Sequence, residues 1–295
     1  MKGILALLLL LAVGACASKS KVELTPMEEL PEANRAIWAA WNTKDSNWPM
    51  WREQALADPR LTEFLIGNLW RQMVQAYDRS DITPAGEIEM SPFDRARGEL
   101  LVLGEPATPI LVEMMGAGDG VVASLSAGLL KEIGAPAIEP TLAQLERRET
   151  NARRRAIELL GHLPYARAGG EDAVKRALAD RLENDDEWVI RATAAIALGL
   201  RGGRDRDTEF TRGALSRALG DDDEGVSRRA AAALAALGDP RAIPALINYL
   251  ERGFRLSRLP IIRGAQGALL SLSGESEERN VSDWRQWWRE HRTKR

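Results

Sequence analysis

From about residue 92 onward, small apolar residues recur at helical spacing and are interrupted by turns at near-equal intervals. The stretches VVASLSAGLLKEIGAPAIEPTL (121–142), NARRRAIELLGHLP (151–164), VIRATAAIALGLRG (189–202), VSRRAAAALAALGDPRAIPAL (226–246) and IIRGAQGALLSLSG (261–274) each contain an alanine- or leucine-rich helix that ends in a turn. Equivalent turn positions fall at Gly104, Gly134, Pro164, Gly202, Gly238 and Gly274, spaced 30, 30, 38, 36 and 36 residues apart. Between these helices lie others with a single apolar stripe. Ile243, Leu246, Ile247 and Leu250 share one face, as do Val174, Ala177, Leu178 and Leu182. Asp239-Pro240 and Gly134-Ala135-Pro136 are helix starts, with proline in the first turn. A helix pair of about 35 residues cannot bury its apolar face alone, but stacked neighbours can.

This pattern resembles HEAT repeats over residues 92–274, and GDPRAIPAL (238–246) is its best single match. The resemblance implies an all-α fold, a solenoid of five to six helix pairs whose second helices line the concave face. It says little about activity, because functions are grafted onto folds.

The flanks differ from the repeats. Residues 31–91 read as helical but not repeated, and PRLTEFLIGNLWRQMVQAYDRS, starting at Asp58-Pro59, is a long helix. Its stripes are Leu61, Leu65, Leu69 and Met73 on one side, and Ile66, Trp70 and Val74 on another. The segment is expected to cap the array, with Trp38, Trp41, Trp48 and Trp51 covering the end of its core; the alternative is an exposed aromatic patch. Residues 275–295 end in SDWRQWWREH, a helix capped by Ser282 or Asp283. Trp284, Trp287, Trp288 and His291 fall on one face of it, either plugging the last repeat or forming a platform for a glycan or peptide.

The N-terminus carries an address. Lys2 precedes an uninterrupted apolar run, Ile4 to Val13. That run would be roughly 15 Å long as a helix, about half a bilayer core, so it reads as a signal peptide of residues 1–15. The only cysteine, Cys16, follows in Val13-Gly14-Ala15-Cys16. These four residues resemble the bacterial lipobox, which implies a lipidated Cys16 and a chain anchored in the cell envelope. Ala17 stands where an aspartate would signal inner-membrane retention, so the resemblance favours the outer membrane, facing the periplasm. Residues 16–30 are polar and prolyl, and are read as a tether.

Composition and charge narrow the functional classes. The chain has 295 residues, is 28% charged and has a formal net charge of -3, which offers no strong field for nucleic acid. Its two histidines, His162 and His291, are far apart in the repeat order. HExxH, GxSxG and glycine-rich phosphate loops do not occur, and neither histidine precedes the glutamate that iron-binding HEAT-like enzymes use. No cofactor, metal or catalytic residue is expected. The runs Asn184–Glu187 and Asp221–Glu224 are rich in calcium-type ligands, but lack the alternation and glycine of an EF-hand loop and read as helix caps.

Arginine far outnumbers lysine. Arg153, Arg191 and Arg263 are expected at the same place in three repeats, with Arg228 close by. They form either a column for an acidic partner on the concave face or a ladder pairing with Asp186 and Asp223. The expected function is a membrane-anchored scaffold or adaptor that binds another protein. A glycan- or peptidoglycan-binding module using the tryptophans is the alternative.

Overall fold

Local rules set most helix starts. Asp239 accepts a hydrogen bond from the Arg241 N–H and opens a 3-10 turn, Pro240–Ala242, which leads into a helix at Ile243. Asp223 caps the helix that begins at Glu224 by accepting from Val226 N–H. At the other ends, Gly238 and Gly274 take left-handed conformations, with φ of 72° and 76°, and stop their helices.

The computed structural model describes residues 31–78, 90–117, 120–164, 170–203 and 208–292. Among them are 15 α-helices and no strand. These are α1 (Glu32–Asn42), α2 (Trp48–Ala57), α3 (Pro59–Asp78), α4 (Pro92–Leu103), α5 (Thr108–Ala117), α6 (Gly120–Ile133), α7 (Ile138–Ala143) and α8 (Thr150–His162). They continue with α9 (Gly170–Asn184), α10 (Trp188–Gly202), α11 (Glu209–Ala218), α12 (Glu224–Leu237), α13 (Ile243–Arg255), α14 (Leu259–Ser273) and α15 (Val281–His291). Two compact units divide at Leu100 and Leu101. The leader, Cys16 and the tether lie outside the described residues.

In the first unit, both stripes expected on α3 are used. Leu65, Ile66, Leu69, Trp70 and Met73 are buried, together with Ile37, Trp38 and Trp41 of α1. Trp48 lies with its ring centroid 4.9 Å from that of Trp41, and Trp51 donates to Asp45 at 3.0 Å. Arg95 stacks its guanidinium 3.9 Å from the centre of the Trp41 ring. None of these four N-terminal tryptophans is fully exposed.

The second unit is the solenoid. Five antiparallel pairs follow one another: α5–α6, α7–α8, α9–α10, α11–α12 and α13–α14, and α15 packs on α13. The second helices of successive pairs, α8, α10, α12 and α14, form a layer of their own. Small residues let this layer close up. A methyl group on Gly161 would lie 3.2 Å from Ala197, and one on Gly199 would lie 2.8 Å from the Cβ and 3.1 Å from the Cα of Ala233. Such helices are buried on the sides that meet their neighbours. In α10, Ile190, Ala192, Ala194, Ala195, Ala197, Leu198 and Gly199 are all inside.

Two substitutions separate packing from helix propensity. Alanine is the better helix former by about 1 kcal/mol, yet Gly199→Ala should lower stability by about 1–3 kcal/mol through overpacking. Gly267→Ala, at a mid-helix site with open space around it, should raise stability by about 0.5–1 kcal/mol. Thermal unfolding followed by circular dichroism measures both, and equal shifts of the same sign would contradict the seam.

Candidate functional site

The inter-repeat arginines fall into three sets. Arg153 and Arg191 follow their helix N-caps, Glu149 and Glu187, at the same offset. Arg153 grips Asp185 with Nε at 2.9 Å and Nη2 at 3.1 Å, and Arg191 grips Asp221 at 2.8 and 3.1 Å. The remaining Nη1 of each closes its own turn. Arg153 donates to the carbonyls of Arg147 and Arg148, and Arg191 to those of Asp185 and Asp186. Each carboxylate also accepts a backbone N–H two residues on, from Glu187 and Asp223. One rung therefore orders two successive turns. The hydrogen-bonded Asp221 carboxylate holds the Arg191 guanidinium above its ordinary pKa, against the opposing effect of burial.

The ladder differs in two ways from the sequence expectation. Its acids are Asp185 and Asp221, the first aspartate of each run, rather than Asp186 and Asp223; Asp223 is engaged as an N-cap. Arg228 and Arg263 also stand one residue later than Arg153 and Arg191, counted from the N-caps Asp223 and Arg258. One residue is about 100° around a helix axis, so both point away from the seam and are exposed. Neither makes an ion pair with a described residue. The place of the arginine in α12 is taken by buried Ser227, which accepts a hydrogen bond from Tyr249 at 3.1 Å. The place of the next aspartate is taken by Leu256.

Other arginines reach back one repeat to carbonyls at helix ends. Arg155 donates to Met115 and Gly116, Arg252 to Leu219 and Asp221, and fully buried Arg201 to Leu160, Leu163 and Pro164. These are the orphan acceptors that every helix leaves. A third series lies outside. Arg147–Glu113, Arg217–Glu183 and Arg285–Glu251 are each 34 residues apart. This offset was not among the sequence expectations, although it can be read directly from the residue numbers. The last pair places α15 in the position of the first helix of a further repeat.

What remains open is a face of the second-helix layer. Ile196 and Leu200 of α10 are 45% and 42% exposed. Equivalent positions hold Ala232 and Ala236 on α12, and Gly267 and Ser271 on α14, all exposed. This gives a smooth, largely apolar floor. Arg228, Arg229 and Arg263 stand on the same helices, nearer their N-terminal ends, and the Arg228 stem lies against Gly264, the neighbour of Arg263.

The family model described as HEAT repeats matches residues 108–199 and 175–256, together half of the chain. The chain belongs to the HEAT-repeat family. Solved structures give looser likenesses. A designed armadillo repeat protein, in complex with the peptide (KR)4, is 14% identical over 70% of this chain and 98% of its own, with a TM-score of 0.42. An engineered protein is 16% identical over 83% of this chain and 98% of its own, with a TM-score of 0.43. No curated protein sequence matches the chain.

At the C-terminal end of the HEAT array the tryptophans are divided. Trp284 is fully buried and donates to Gln266 at 2.8 Å, and Trp287 is buried and donates to Glu275 at 2.8 Å. Only Trp288 is half-buried, so the three rings do not form one exposed platform. His291 stacks on Trp287 at 4.4 Å. The N-cap of α15 is Asn280, in place of Ser282 or Asp283, because the helix begins at Val281. Among the described residues, no group of three or more His, Cys, Asp or Glu side chains is placed to hold a metal ion.

The rungs should be worth more than surface ion pairs, because Arg191 and Asp221 are only 18% and 12% exposed. Asp221→Ala should cost about 3 kcal/mol by stranding the guanidinium. The double variant Arg191→Met/Asp221→Leu should recover most of that loss, which denaturant unfolding can measure. Asp239 supplies a pH test. Burial alone would raise its pKa, but hydrogen bonds from Arg241 and Thr208 outweigh that and hold the carboxyl below its ordinary value. A carboxyl lowered by folding stabilises above its unfolded value, about pH 4, and loses that contribution as the pH falls through its folded value. Asp239→Asn should therefore lower stability by about 1–3 kcal/mol at pH 7, with the difference from the parent chain shrinking below about pH 4 in melts across pH.

Proposed function

We propose that this HEAT-repeat chain is a lipid-anchored scaffold or adaptor of the cell envelope, tethered through Cys16 in the outer membrane and facing the periplasm. It holds another protein against the exposed face of α10, α12 and α14. The observation that carries this reading is the pairing of an apolar floor, Ile196, Leu200, Ala232 and Ala236, with the exposed guanidinium groups of Arg228 and Arg263, which make no ion pair with a described residue. An open, extended face of this kind suits a protein segment better than a small molecule, which needs enclosure. The two arginines select for acidic residues in that segment and speed its encounter. Arg153 and Arg191 play no direct part, since their guanidinium groups are already engaged in the ladder. The burial of Trp284 and Trp287 removes the main support for glycan binding.

Cross-linking in membranes and affinity recovery of the tagged full-length chain tests this, beside Cys16→Ala and Arg228→Glu/Arg263→Glu. A stoichiometric protein should be recovered. The purified pair should bind about tenfold or more weakly in the charge-reversed variant, while the melting curve stays unchanged. Cys16→Ala should release the scaffold from the membrane fraction. Recovery of wall glycan alone, or undiminished binding by the charge-reversed variant, would overturn the reading.

A further inference from the structure

The turn between α13 and α14 differs from the two turns before it, α9–α10 and α11–α12. Each of those holds an aspartate in a rung, as Asp185 and Asp221. Here every residue from Phe254 to Pro260 is exposed. Phe254, Leu256 and Leu259 are 49%, 48% and 62% exposed, and Arg255 and Arg258 lie between them. A single exposed leucine is ordinary. Three large apolar side chains within six residues, alternating with two cations, form a patch of defined chemistry.

The turn is fixed rather than loose. A methyl group on Gly253 would lie 2.9 Å from both Ile261 and Ile262, so the end of α13 is pressed against the first turn of α14. Leu256 N–H donates to Arg252, Ser257 N–H to Phe254, and Arg258 N–H to Gly253. Ser257 takes a left-handed conformation, φ 52°, without being glycine. With its backbone bonded within the turn, the segment presents its side chains outward. Its charge is one-sided. Arg255 and Arg258 make no ion pair with a described residue, and the nearby Glu251 is engaged with Arg285. A chain of net charge -3 thus carries a cationic, apolar-tipped edge.

We propose that this edge docks on an anionic lipid bilayer. Phe254, Leu256 and Leu259 enter the boundary between headgroups and acyl chains, while Arg255 and Arg258 bind lipid phosphates. The exposed, alternating arrangement matches such a surface better than it matches a protein groove, which would need apolar residues gathered on one side. The proposal uses neither Cys16 nor Arg228 and Arg263, so it stands or falls apart from the partner-binding reading.

The test uses the full chain with Cys16→Ala, which leaves no site for the lipid, and co-sedimentation with phosphatidylcholine vesicles, plain or containing roughly a third phosphatidylglycerol. The parent loop should bind the anionic vesicles and release from them in high salt. Phe254→Ser/Leu256→Ser/Leu259→Ser should weaken binding about tenfold or more, and Arg255→Gln/Arg258→Gln about fivefold or more. All these chains share the apolar run Ile4–Val13, so differences among them report the loop. The melting temperature should stay near that of the parent, because the substituted side chains are exposed. Equal sedimentation of parent and loop variants would overturn the proposal. So would competition by soluble glycerol phosphate as effective as vesicles, or a loop effect seen only on capture of a protein.

Discussion

Close approach of the second helices is the constraint on which the solenoid depends. A helix pair cannot cover its own apolar face, so each pair folds against the next. Where Gly199 meets Ala233 and Gly161 meets Ala197, the contact leaves no room for a larger side chain. This explains the alanines of α10 and α12 and the burial of Ala194, Ala195, Ala197 and Gly199 in α10. The first helices keep larger residues, such as Ile243, Leu246, Ile247 and Leu250 in α13, and use a single apolar stripe.

The tight seam creates a polar problem that arginine solves. Stacked helices bring carbonyl ends and turns under neighbouring repeats, where water cannot satisfy them. Arg155, Arg201 and Arg252 donate to those carbonyls from one repeat away. Arg153 and Arg191 do more, joining two turns through a bidentate carboxylate. A planar group with five donors can do this, and an ammonium cannot. The excess of arginine over lysine is thus an architectural signal, and only the outward-facing members of the set are left for a partner.

The fold was legible because its period is written twice, in turns and in apolar stripes. HEAT membership and the helix pairs follow from that alone. The site was less legible, for reasons of angle and competition. Arg263 matches Arg191 when repeats are aligned by their turns, but an N-cap shifted by one residue rotates it out to solvent. Asp223 was expected in the ladder, yet the α12 N-terminus claims it, so Asp221 serves instead. The tryptophans of α15 all fall on one helical face, and spacing cannot tell a ring that plugs a core from one that meets solvent. Burial of Trp284 and Trp287 decides that. The edge at Phe254–Pro260 was invisible for the same reason, since its leucines look like core residues until their exposure is known.

The loss of a rung between α12 and α14, with Ser227 for arginine and Leu256 for aspartate, bears on how the array comes apart. In a linear stack, cooperativity is the sum of neighbour couplings, and opening starts where one coupling is weak. The bidentate rung is absent there, and the polar coupling moves to the first-helix side: Arg252 donates to the Leu219 and Asp221 carbonyls, Thr208 and Arg212 hold Asp239, and Tyr249 donates to Ser227. Separating these two repeats therefore means breaking contacts of α13 and its entry turn, in place of a rung between second helices. The same stacking geometry is thus secured by two different polar devices along one array, a carboxylate rung in the middle and carbonyl-capping arginine near the end.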